Sequence, residues 1–90
     1  MMKTNEIYRR ALDRYGIGTQ CVVAIEELSE LQKEICKQFR GGGDLNALAE
    51  EVADAKIMIE QIVKMFGIKE ATEEWRKRKL ERLERRLSDA

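Results

Sequence analysis

Ninety residues are enough for one domain with a modest core, and 17 basic side chains balance 17 acidic ones. The balance argues against an electrostatic nucleic-acid binder. Ample, periodic apolar content argues against disorder. Nowhere do about 18 apolar residues run together, so no membrane span is expected, and the N-terminus lacks the apolar stretch of a secretory signal, which points to the cytoplasm.

Glycines punctuate an otherwise helical text. A first helix is predicted over residues 4–15, with Ile7, Ala11, Leu12 and Tyr15 on one side and Gly16 and Gly18 ending it. Thr19 fits the N-cap of a second helix over 20–40. The apolar stripe of that helix is Cys21, Ala24, Ile25, Leu28, Leu31, Ile35 and Phe39, at spacings that match a 3.6-residue period. Gly41-Gly42-Gly43 breaks the chain, and Asp44 fits the N-cap of a third helix over 45–66. Leu48, Val52, Ala55, Ile59, Ile62, Val63 and Phe66 form its apolar face. Gly67 suits the left-handed position after a helix, with Ile68 turned back on Val63. A fourth helix over 72–87 carries Leu80, Leu83 and Leu87 as its seam. Four helices with short links imply a single all-α domain over residues 1–90, a compact four-helix bundle.

Cys21 and Cys36 fall on the same predicted helix, about 22 Å apart by rise, too far to bridge. With no histidine in the chain, zinc is not expected, and both thiols read as reduced and partly buried.

Two acidic motifs stand out, Glu27-x-x-Glu30 and Glu51-x-x-Asp54. Residues three apart on a helix differ by about 60° in direction and about 4.5 Å along the axis, so each motif sets two carboxylates side by side. On the helical wheel both motifs border the apolar stripes, and Glu34 falls between Glu27 and Glu30. Helices packed on those stripes would bring four carboxylates together, where like charges repel and raise one another's pKa. A divalent cation reverses that sign. An all-oxygen donor set favours Mg²⁺ or Mn²⁺, and Mg²⁺ commonly bridges to substrate phosphates, so a nucleotide is a natural second ligand. The competing reading is a solvated face with short-range pairs such as Glu30–Lys33 and Glu34–Lys37, each worth a few tenths of a kcal/mol.

The segment AIEELSELQKEI, a glycine-containing link and then LAEEVADAKIMIEQI resemble the MazG-like branch of the all-α nucleoside triphosphate pyrophosphohydrolases, whose signature is E-x-x-E followed by E-x-x-D. Twenty residues, 31 to 50, separate the two motifs here. Gly67-Ile68 and the basic KLERLERRL stretch also look like the family, and the resemblance covers roughly residues 19–87. It is nearest to the short single-domain forms common in phages. It implies hydrolysis of an NTP or dNTP to the monophosphate and pyrophosphate with Mg²⁺, in a homodimer or homotetramer. Glu27, Glu30, Glu51 and Asp54 would be the metal ligands, with Glu34 supporting them. Glu27 or Glu30 would act as general base, and the sequence does not choose between them.

The family often holds phosphate with a lysine and an arginine on the last helix, sometimes with an asparagine. No asparagine stands there in this chain; Lys79 and Arg82 are the candidates, with Trp75 near them on the wheel. Lys56 replaces a residue that is often apolar in relatives, which weakens any inference about the base. Two other functions remain open at this stage. One is a non-catalytic helical interaction module. The other is a nucleic-acid regulator using residues 76–86, which hold seven basic and two acidic side chains.

Overall fold

The computed structural model describes residues 1–88. Within them the chain forms three α-helices: α1 (Thr4–Phe39), α2 (Leu45–Phe66) and α3 (Lys69–Ser88). The two helices expected before residue 40 are present, joined within α1 at a break in helical geometry. Gly16 alone leaves helical geometry, at φ 81° and ψ 161°, a region open essentially to glycine. Gly18 and Thr19 are helical, so neither ends or caps a helix. An isolated glycine weakens a helix without stopping it.

Signals around α2 act as expected. The Asp44 carboxylate accepts the Asn46 backbone N–H at 2.9 Å, the usual N-cap bond. At the other end Gly67 takes φ 62°. The Ile68 N–H reaches the Val63 carbonyl at 3.1 Å, and the Gly67 N–H reaches that of Lys64 at 3.3 Å, the two bonds of a Schellman motif. Helix α3 starts at Lys69, three residues before its expected boundary, because the turn at Gly67-Ile68 is already complete.

The part of α1 after the kink and α2 make an antiparallel hairpin. Ala24, Ala55 and Met58 are its buried apolar side chains among the described residues, and Gln20 and Gln61 are buried as well. The segment before Gly16 swings back over the second half of α2. There the Tyr8 hydroxyl donates to the Glu60 carboxylate, and Lys64 Nζ donates to the Asn5 carbonyl at 3.1 Å.

A compact bundle of one chain is not what forms. Helix α3 buries none of its side chains and touches α2 but not α1 among the described residues. Ile25, Ile35 and Phe39 on α1, Val52, Ile59 and Phe66 on α2, and Leu80, Leu83 and Leu87 on α3 are all exposed. Cys21 is half-buried and Cys36 exposed, both free. The radius of gyration is 16.2 Å, against about 12 Å for a compact chain of this length. Three helices supply the amphipathic stripes, but one chain offers too few partners to cover them.

The kink gives a direct test. Gly16→Ala forces a Cβ into the glycine-only region and should cost about 1–3 kcal/mol. Gly18→Ala, with open space around its Cα, should gain roughly 0.5–1 kcal/mol. Urea unfolding of both variants measures this; equal effects of the same sign would contradict a break confined to Gly16.

Candidate metal centre

Glu27 lies near the middle of α1, and Glu51 and Asp54 lie one turn apart in the first half of α2. The antiparallel pairing brings them to one place, with one carboxylate oxygen from each within 4.8 Å of the others. All three side chains are half-buried. Ala24 and Ala55 are 1% and 2% exposed, and their small size lets the two backbones approach closely enough for short acidic side chains to meet. No ion pair among the described residues engages the three acids. One oxygen, Glu51 Oε2, is buried without a hydrogen-bond partner, an uncommon state for a buried polar atom.

Electrostatics follow from this crowding. The Glu27 carboxyl is pushed above its ordinary range, first by burial and then by the Asp54 charge and a carboxyl–carboxylate hydrogen bond to Asp54, with Glu51 and Glu30 adding to the effect. Glu51 is raised in the same way, first by burial, then by Asp54, Glu30, Glu50 and Glu34. The donor set is wholly oxygen, negatively charged and short of positive partners. It therefore suits a hard divalent cation, and Glu51 Oε2 supplies an unused buried lone pair.

The fourth acid of the two motifs stands apart from this triad. Glu30 is exposed and pairs with Lys33 at 3.6 Å, yet its charge still acts on Glu27 and Glu51. Glu34 pairs with Lys37 at 3.1 Å, its own side chain only 12% exposed. The helical surface pairs expected as a competing reading are thus real for Glu30 and Glu34, and absent for the triad.

Lys79 and Arg82 sit on α3, which contacts α2 and makes no contact with α1 among the described residues. Lys79 Nζ lies 5.7 Å from the Trp75 ring centroid and the Arg78 guanidinium 5.4 Å, so Trp75 is engaged by cations of its own helix.

Two groupings escaped the sequence reading. Gln20 Nε2 donates to Gln61 Oε1 at 2.7 Å, buried between α1 and α2. Each glutamine is seven residues from an acid of the triad, Gln20 from Glu27 and Gln61 from Asp54. The pair therefore lies on the same seam, about 10 Å further along. An amide on an otherwise apolar stripe was the available signal. The second grouping is an open cleft of about 870 Å³ between the start of α1, the end of α2 and the start of α3, bordered by Tyr8, Glu60, Val63, Lys64 and Lys69. The Tyr8 hydroxyl there is pushed up to about 12, chiefly by its hydrogen bond to Glu60.

The raised acids make stability pH-dependent. The folded chain binds more protons than the unfolded chain between 4.5, the ordinary glutamate value, and the higher folded values. Stability must then fall as pH rises through that window. Melting of the metal-free protein should show this decline, Glu51→Gln should lessen it, and added Mg²⁺ should offset it. A metal-free melting temperature that rises across the same window would contradict the crowded-acid description. Compared with protein-family models, curated proteins and solved structures, the chain matches none.

Proposed function

We propose that this chain is a Mg²⁺-dependent nucleoside triphosphate pyrophosphohydrolase of the MazG-like all-α type, converting an NTP or dNTP and water to the monophosphate and pyrophosphate. The observation that carries the reading is the meeting of Glu27, Glu51 and Asp54 at one α1–α2 seam, with a buried, unpartnered carboxylate oxygen among them. Such a cluster is costly to keep unless a cation belongs in it. The order of the two motifs along the sequence, and their resemblance to the family signature, supply the reaction.

In this reading Glu27, Glu51 and Asp54 hold the cation, which when bound neutralises triphosphate charge and orients a water. Glu30 stands outside the triad but within its field, exposed enough to meet solvent. It is the better placed of the two candidate bases to accept a proton from an attacking water. A new bond from the water oxygen to phosphorus would replace the α–β anhydride bond, with pyrophosphate leaving if the α-phosphorus is attacked and the nucleoside monophosphate leaving if the β-phosphorus is, while Glu30 takes the water's proton. Glu34, held by Lys37, adds negative charge behind Glu51.

The same reading includes self-association. The exposed stripes of α1, α2 and α3 are the apolar surface that a homodimer or homotetramer would bury. Lys79 and Arg82 would serve phosphate through such an assembly, since α3 makes no contact with α1 of its own chain among the described residues. The exposed stripes also suit a second reading, a helical interaction module without turnover. No helix of the described residues is long and apolar enough to cross a membrane.

The test is gel filtration followed by a pyrophosphate assay across a panel of NTPs and dNTPs with Mg²⁺. Activity should elute above the 10.5 kDa protomer mass. Asp54→Asn should lose both turnover and the Mg²⁺-induced rise in melting temperature. Glu30→Gln should keep that rise while turnover falls at least about 100-fold. No pyrophosphate from any nucleotide, together with no effect of Mg²⁺ on melting, would favour the interaction module.

A further inference from the structure

We propose that the Gln20–Gln61 amide pair is a positioning element that fixes the register of α1 against α2 and so holds the three acids at one point; this rests on the cation-binding part of the hydrolase reading and names residues that support that site. Gln20 Nε2 donates to Gln61 Oε1 at 2.7 Å. The two side chains are 5% and 7% exposed, the buried polar residues among those described. Gln61 Nε2 is taken by the Met58 sulfur of its own helix at 3.2 Å, which leaves the Gln61 oxygen to face α1.

Register follows from the spacing. Glu27 stands seven residues after Gln20 on α1, and Asp54 seven residues before Gln61 on α2. Seven residues are two turns to within about 20° of phase and about 10 Å of rise. In an antiparallel pair a step forward on one helix is a step back on the other. Joining Gln20 to Gln61 therefore sets Glu27 opposite Asp54. The acids do meet there, with one oxygen each of Glu27, Glu51 and Asp54 within 4.8 Å of the others.

Other features of the hairpin specify its register weakly. The buried apolar side chains are Ala24, Ala55 and the unbranched Met58, whose small or adaptable shapes tolerate altered packing. The link to α2 holds Gly41-Gly42-Gly43, a permissive backbone. Contacts of Tyr8 with Glu60 and of Lys64 with Asn5 lie on the far side of the Gly16 break from Glu27. Repulsion among the acids favours any slide that separates them. A slide of one turn, about 5.4 Å, would break the amide bond and strand a buried donor and acceptor, a cost that opposes the repulsion. Single buried polar side chains set register between packed helices in the same way.

The test measures melting temperature and Mn²⁺ affinity on the intact chain, on Gln20→Met and on the double variant Gln20→Met with Gln61→Met. Methionine keeps the unbranched length and removes the amide. Gln20→Met should lower the melting temperature, because the Gln61 oxygen is then buried without a donor. The double variant should regain it, with Mn²⁺ affinity still about 10- to 100-fold below the parent's, the range in which residues outside the ligand set act on a metal site. A purely stabilising role predicts instead that affinity returns with stability. Parent-like affinity in the double variant would overturn the proposal and leave the hydrolase reading intact. A double variant that melts no higher than Gln20→Met would overturn it too, since lost affinity would then follow from lost fold. An intact chain with no saturable Mn²⁺ binding would remove both. Weakened binding in the stable double variant, with no pyrophosphate released from any nucleotide by the intact chain, would keep the amide pair's role and remove the hydrolase reading.

Discussion

Three carboxylates held against one another at the seam of two helices are the constraint on which the rest of the structure turns. Glu27, Glu51 and Asp54 meet within 4.8 Å, and among the described residues no basic side chain is paired to any of them. Burial and mutual repulsion raise Glu27 and Glu51 together. Folding energy from the hairpin holds this arrangement in place, and a divalent cation would turn the repulsion into attraction. In the proposed reading, the site would destabilise the chain when empty and stabilise it when a cation is bound. Local penalties of this kind cluster where chemistry is done.

The seam that gathers the acids is built from small side chains and one amide pair. Ala24 and Ala55 permit close approach, and Gln20 with Gln61 fixes the antiparallel register two turns away. A slip by one turn would leave both amides buried without each other, a cost that a purely apolar seam would not impose. The glutamine pair therefore holds Glu27 opposite Asp54 even though it touches neither. The Gly16 kink completes the arrangement by folding residues 4–15 over the same stretch of α2. Large apolar side chains, by contrast, lie mostly outside this seam and remain open.

How much of this could be read from the sequence depended on whether the signal was local. The N-cap at Asp44, the left-handed stop at Gly67 and the acidic motifs were legible because each depends on neighbours a few residues away. Gly16 and Gly18 could not be told apart, since only tertiary geometry decides which glycine takes positive φ. The all-helical class was right and the helices are bundle-like, but α3 buries none of its side chains within one chain. Periodicity shows which face is apolar and says nothing of whether one chain covers it. Glu30, which its motif sets beside Glu27, is exposed and paired with Lys33, while its charge still acts on Glu27 and Glu51. The glutamine pair was missed because an amide inside an apolar stripe reads as surface unless its partner is known.

Binding of Mn²⁺, followed by electron paramagnetic resonance, tests the central claim most directly. The account predicts saturable binding by the intact chain that Glu51→Gln or Asp54→Asn weakens strongly and Glu50→Gln leaves nearly unchanged. Binding that survives loss of Glu51 or Asp54, or that falls equally with Glu50, would contradict it.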